Sequence, residues 1–275
     1  MNAPANPFDI QQDKTGVFPG IPNADYHAGE GLSSSALKLL LKSPLHYKHQ
    51  YIDGNRTEST AAMLMGSLVH TMVLEPDELE HDYLIIDAST RTTKAYKEAA
   101  EFAGNRTPVL LTELDSAAEI ANAVLAHPTA ANLLRGSQNE HSVYWMERDG
   151  LLCKCRPDIW RPDIGVVADL KTTTDASPGD FAKQIANLGY HISAEWYLRG
   201  IEKATGTRPD TWAWVVVEKS APFAVQIYEA DSDMLAKAAD KIDAALDLLA
   251  ECQRTGHWPA YQDGIQKIYL PAWAA

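Results

Sequence analysis

Three side chains within the stretch CRPDIWRPDIGVVADLKTTT, residues 155–174, could do chemistry together: Asp158, Asp169 and Lys171. Val166, Val167, Ala168 and Leu170 read as a strand in a protein interior, and a charge taken out of water is costly unless it is paired or bound to a metal. A turn centred between Asp163 and Ile164 pairs the flanking segments so that Asp158 lies opposite Asp169. Side chains alternate along a strand, so Lys171 shares the Asp169 face, while Cys153, Cys155, Ala168 and Leu170 are expected to point together into the packed side. Two adjacent carboxylates repel unless a proton or cation lies between them. Oxygen ligands with room for water suit a hard divalent ion, Mg2+ or Mn2+. Lys171 could then orient or deprotonate a water that attacks a phosphate, which is metal-assisted phosphodiester hydrolysis. The plainer alternative is an Asp169–Lys171 salt bridge on a solvated strand face.

A nitrogen ligand is available upstream. The run AAMLMGSLVHTMVL (61–74) is apolar on every side and predicts a buried helix whose one titratable side chain is His70. Gly66, one turn earlier, would leave room for close backbone approach. A lone histidine in an apolar helix is commonly a satisfied core residue; beside an Asp/Asp/Lys hairpin it is also a ligand candidate.

The elements that must position these residues follow from pattern. Helices are predicted within 31–51, with a break at Ser43-Pro44 before a second short helix, and at 93–104, 113–126, 128–135, 178–188, 191–204 and 231–253. Strands are predicted at 83–87, 211–218 and 223–229, with three successive strands between 140 and 171. Helices before and after a central mixed sheet indicate an α/β layered fold. Residues 1–30 read as an irregular arm, 31–255 as the catalytic domain and 256–275 as a tail.

Composition narrows the function classes. The 275 residues are 45% hydrophobic, enough for a sizeable core. Three cysteines, Cys153, Cys155 and Cys252, exclude a four-cysteine metal site within one chain. No apolar run reaches the roughly 18 residues of a membrane span and the N-terminal residues lack a secretory pattern, so a cytoplasmic location is expected. A net charge of −13 argues against indiscriminate nucleic-acid binding. Yet residues 31–56 hold Lys38, Lys42, Lys48 and Arg56 against Asp53 alone, whereas 229–253 hold seven acids. A local basic surface on an acidic body is compatible with this distribution.

Five ordered blocks, LSSSALKLLLKSPLHY (32–47), GSLVHTMVLEP (66–76), CKCRPDIW (153–160), DLKTTTDASPGDFAKQI (169–185) and GYH followed by EWY (189–197), resemble the PD-(D/E)xK nuclease superfamily. More narrowly they are similar to the C-terminal nuclease domain of exonuclease VIII, the RecE-type prophage recombination exonucleases. The resemblance implies a restriction-endonuclease-like α/β core, a central mixed sheet flanked by helices. It implies that His70, Asp158, Asp169 and the backbone carbonyl of Leu170 hold Mg2+ or Mn2+, with Lys171 as the catalytic lysine. It further implies digestion of double-stranded DNA from 5′ ends to leave 3′ single-stranded tails, a ring-like homo-oligomer, and cooperation with a single-strand annealing recombinase. Tyr197 fits the tyrosine of the family's Gln-x-x-x-Tyr helix motif, but Ser193 stands where the glutamine is usual, and Gln184 lies too early to replace it.

Other residues have both plain and functional readings. Ser33, Ser34 and Ser35 cap a helix or, with Lys38, form a terminal-phosphate pocket. Arg156 holds DNA or neutralises the acids. Thr172, Thr173 and Thr174 contact the scissile phosphate or simply favour the strand. Glu140 is an additional acid candidate. Arg91, Lys94 and Lys97 line a DNA track or, more simply, form a solvated helix face, Trp212 and Trp214 are core or interface, and Tyr190 and His191 are open. Two alternatives accompany the exonuclease reading: a single-strand or structure-specific nuclease, and a catalytically idle DNA-end binding module.

Overall fold

The computed structural model describes residues 15–55, 61–261 and 264–270. Arg56 and residues 1–14 of the expected arm lie outside them. The chain opens with β1 (Gly16–Phe18) and α1 (Asn23–Ala28), then α2 (Ser34–Lys42) and α3 (Pro44–Tyr47). Ser33 caps α2 by accepting the Ala36 amide, and Ser43 caps α3 by accepting that of His46. Next come α4 (Ala61–Leu74), α5 (Leu79–Asp82), β2 (Tyr83–Ile86), α6 (Lys94–Ala100), β3 (Thr107–Leu110), α7 (Leu111–Ala126) and α8 (Pro128–Leu134). The central strands are β4 (Gln138–Asn139), β5 (Ser142–Met146), β6 (Leu152–Cys155), β7 (Ile159–Arg161) and β8 (Val166–Thr173). The chain continues through α9 (Pro178–Leu188), α10 (Tyr190–Thr205), β9 (Thr211–Glu218), β10 (Val225–Glu229) and α11 (Ser232–Thr255).

A mixed five-stranded sheet has the order β10-β9-β8-β7-β4, in which β8 and β9 run parallel and the other neighbours antiparallel. A separate antiparallel sheet has the order β1-β5-β6. This is the expected α/β architecture. Two segments depart from expectation. Residues 16–18 and 23–28 of the supposed arm are ordered, because β1 completes the edge of the smaller sheet beside β5. The run from 140 to 171 is not three continuous strands, since residues 156–158 carry the chain from one sheet to the other. Pro157 lacks an N–H and cannot continue a ladder there.

The larger sheet is covered on both faces. Ile159, Ala168, Leu170, Val215 and Val217 pack with Leu68, Val69 and Val73 of α4 and Ile120 and Val124 of α7. Trp160, Val167, Trp212, Trp214 and Val216 face the other way, onto α2, α9, α10 and α11. Trp212 and Trp214 are thus core residues. Cys153 and Cys155 join this second cluster rather than the side of Ala168 and Leu170. The expectation that all four share one side fails because Pro157 separates the two sheets.

Helix α4 also differs from the fully buried helix expected. Leu68 and Val69 are wholly buried, while Met63 is 58% exposed and Gly66, Ser67 and His70 line a cavity. Apolar composition does not distinguish a core face from a cavity wall. A Cβ added at Gly66 would meet only Thr172 Oγ1, at an ordinary 3.7 Å, so close approach does not require that glycine.

Candidate active site

The site forms just before the first residue of β7, where β8 continues past it. All eight residues of β8 pair with β9, but pairing with β7 stops at Ile159↔Ala168. Beyond that point the Leu170 backbone on the β7 side needs other partners, since buried peptide groups are almost always hydrogen-bonded. Its amide donates to Asp158 Oδ2 at 2.7 Å, and its carbonyl lies 2.7 Å from His70 Nε2, which donates to it. His70 Nδ1 is thereby turned toward Asp158, 3.5 Å from Oδ2. The pairing register, continued one step, sets Asp158 opposite Asp169, as the turn centre predicts.

Lys171 forms an ion pair with Asp169 Oδ2, and its ammonium lies 5.2 Å from the Tyr190 ring centroid. The pair is not on a solvated face: Asp158 and Asp169 are both buried. Burial pushes the Lys171 ammonium toward deprotonation, but Asp169 and Asp158 outweigh it and hold its pKa above the ordinary lysine value. Burial followed by repulsion from Asp169 pushes the Asp158 carboxyl up, partly offset by His70 and Lys171.

His70, Asp158, Leu170, Lys171 and Tyr190 border a cavity of about 520 Å³. Glu140 enters it from between β4 and β5. Oxygen and nitrogen atoms of His70, Glu140 and Asp158 lie within 4.8 Å of one another, close enough for one ion. Burial, then Asp158 and Glu75, push the Glu140 carboxyl well above the usual range. Asp169 is outside this trio and is engaged by Lys171. Glu140 lies at the cavity because of its irregular backbone, a feature without a periodic sequence signal. Asn23, Tyr26 and His27 of α1 form another wall, which the reading of that region as an irregular arm missed.

The candidate DNA contacts divide. Thr172 and Tyr197 line the cavity, with Tyr197 packed edge-on against Trp212. Lys38 approaches Tyr190 from α2, its ammonium 5.9 Å from the ring centroid. Arg156 also borders the cavity, but it is buried, bonded to Ser142 Oγ and the Ile21 carbonyl, and stacked over Tyr26. Thr173 turns away to bond Gln184 and the Asp175 backbone. Ser33 serves as a cap, and Ser35 is exposed. Arg91 pairs with Glu113 and Lys94 with Glu98, and Lys97 is exposed on the same helix. His191 is buried against the Ile185 carbonyl and Lys241.

Residues 33–270 match the family model described as "PDDEXK-like domain of unknown function (DUF3799)". The chain belongs to this family. A crystal structure of a candidate exonuclease from Eubacterium rectale superimposes with a TM-score of 0.64 at 16% identity, covering 93% of this chain and 97% of that one. That similarity establishes the fold. A phage-related exonuclease from Haemophilus somnus 129PT aligns at a TM-score of 0.35 and 12% identity, over 83% of this chain and 97% of that one. No curated protein matches the sequence. Among the described residues, no helix is long and apolar enough to cross a membrane.

Proposed function

We propose that this PDDEXK-like domain is a metal-dependent DNA exonuclease that hydrolyses double-stranded DNA from the 5′ end and leaves 3′ single-stranded tails. The observation that carries the reading is the convergence of His70, Asp158 and Lys171, from α4 and the β7–β8 hairpin, on one cavity, with Asp169 paired to Lys171 beside it. The residues fit a divalent cation. An imidazole and carboxylates crowd together there, with pKa values raised at Asp158 and Glu140, and a cation would relieve that repulsion. His70, Asp158, Asp169 and the Leu170 carbonyl are the proposed ligands, for Mg2+ or Mn2+. Such an ion would polarise the scissile phosphate and acidify a water.

The chain's own groups do the rest. Lys171, paired with Asp169 Oδ2 at the cavity edge, neutralises a phosphate oxygen as an electrostatic stabiliser. Asp158 orders the β8 backbone through the Leu170 amide. Lys38, Thr172 and Tyr197 contact the DNA strand, Ser33 and Ser35 the region near its end, and Arg156 and Thr173 brace the cavity walls. The fuller reading includes cytoplasmic action in phage-type homologous recombination, a homo-oligomeric ring and an annealing recombinase as partner. A basic inner channel would reconcile that ring with the acidic net charge.

The test uses a blunt duplex labelled at either the 5′ or the 3′ terminus, with an equivalent single strand alongside. With Mg2+ or Mn2+, early loss of the 5′ label and retention of the 3′ label on a shortening complement are expected. Preference for the single strand would favour the structure-specific alternative; end binding without nucleotide release in any divalent ion would leave only a binding module.

A further inference from the structure

Glu140 is not part of the PD-(D/E)xK motif, yet its backbone is specialised to reach the same cavity. Its φ of 52° is left-handed, a conformation that costs a glutamate energy and that tends to persist where the surroundings impose it. The imposing contact is the Glu140 amide, which donates to the Pro157 carbonyl at 3.1 Å and so ties this residue to the one preceding Asp158. The carboxylate then stands beside His70 and Asp158. Among the described residues, none donates a hydrogen bond to it. The nearby Arg156 guanidinium is directed instead to Ser142 and the Ile21 carbonyl. A strained backbone that places a carboxylate among other acids makes physical sense when a cation joins them.

We propose that Glu140 is a further ligand of the divalent cation, completing a His70–Asp158–Glu140 set from three separate parts of the chain. This deepens the nuclease reading and rests on its metal centre. The geometry gives Glu140 a sign that a purely structural glutamate lacks. Without metal the carboxyl group stands beside Asp158 with no cation to join them, so its removal costs the fold little; with metal, the same removal weakens the site.

The test titrates the full chain with Mn2+ by calorimetry and records Tm in EDTA and in Mn2+ for the native protein, Glu140→Gln and Asp158→Asn. Glu140→Gln is expected to weaken Mn2+ binding at least tenfold, to hold or raise Tm in EDTA, and to shrink the rise in Tm that Mn2+ brings. Native Mn2+ affinity in a folded Glu140→Gln protein, with binding lost in Asp158→Asn, would overturn the Glu140 assignment and leave the nuclease reading standing. No Mn2+ binding by the native chain would overturn both. Weakened binding in Glu140→Gln, but no DNA cleavage by the native protein, would support the ligand and sink the nuclease reading. Should Glu140→Gln fail to fold, Glu140→Gly, which removes the strain with the carboxylate, takes its place under the same criteria.

Discussion

The Leu170 amide donates to Asp158 Oδ2 at 2.7 Å, so a side chain takes over the ladder where the backbone of β7 has already turned away. This contact fixes Asp158 relative to the strand that carries Asp169 and Lys171. The imidazole of His70 closes the same edge through the Leu170 carbonyl. The backbone of one residue, Leu170, thereby gathers residues from positions 70, 158 and 169–171.

Lys171 is the half-buried counter-charge of the buried Asp169. Replacing one partner leaves the other charge unpaired, at a cost of about 3–5 kcal/mol. Lys171→Met is therefore expected to lower Tm and to reduce nuclease rate by roughly 10²- to 10³-fold, the range for loss of a preorganised charge stabiliser. The double variant Asp169→Asn/Lys171→Met should recover most of the lost stability without recovering activity. Thermal unfolding and single-turnover digestion check both halves, and an active Lys171→Met enzyme would remove Lys171 from the chemistry.

Lys38 differs from Lys171. Burial, followed by repulsion from Lys171, lowers its pKa to about 8, with Asp169 opposing. Gly189, at φ +65°, leaves space for the lysine stem, since a Cβ there would lie 2.8 Å from Lys38 Cδ. The side chain is charged below about pH 8 and neutral above it, so duplex-end affinity should fall between pH 7 and 9. Lys38→Met should bind roughly tenfold more weakly at pH 7, the weight of one charge-assisted hydrogen bond, and should flatten that profile. Stability moves oppositely. The folded protein holds fewer protons than the unfolded chain between about pH 8 and 10.5, so this group makes stability rise with pH in that window. Fluorescence anisotropy in EDTA at constant ionic strength measures the binding; an unchanged pH slope in Lys38→Met would exclude the contact.

Much of the site is legible in sequence because the β7–β8 hairpin is local. Its turn lies between Arg161 and Val166, so the centre fixes which residues face each other, and Asp158 and Asp169 follow by counting. Helix α9 is similarly marked, with Pro178 in its first turn and Gly189 at its end. What escapes is tertiary. Glu140 reaches the cavity through a left-handed residue tied to Pro157, and Tyr26 through a short helix preceded by Pro22. Neither has a periodic pattern. The sides of Cys153 and Leu170 depend on a change of sheet at Pro157, which alternation along one continuous strand would not produce.

Helix α10 bears on the scaffold behind the site. Gly200 faces Trp145 of β5, and a Cβ there would meet Cη2 of the indole at 2.6 Å. Trp145 has little freedom to yield, being buried and packed on Trp196 with ring centroids 4.9 Å apart. Gly200→Ala should destabilise by about 1–3 kcal/mol through overpacking, after offsetting the usual helix gain from alanine. Chemical denaturation checks this. A stabilised Gly200→Ala protein would show that the α10–β5 contact is loose.

The same helix is held to β5 by a charge network centred on Glu147. Its buried carboxylate accepts from Arg199 Nε at 2.8 Å, Lys203 Nζ at 3.0 Å and Trp145 Nε1 at 3.1 Å. Burial alone would raise its pKa, but the hydrogen bonds from Arg199 and Lys203 outweigh that effect and depress it below the ordinary 4.5. A depressed folded-state value means that the unfolded chain takes up the proton first. The stabilisation is therefore complete above the unfolded value and is lost as pH falls through the lower, folded one. Glu147→Gln should lower Tm at pH 7 and reduce the acid dependence of Tm below pH 4.5, because the proton-linked difference is gone. Parallel Tm-against-pH curves for the native protein and Glu147→Gln, shifted by a constant amount throughout the acid range, would instead mean that Glu147 acts through shape and neutral hydrogen bonding.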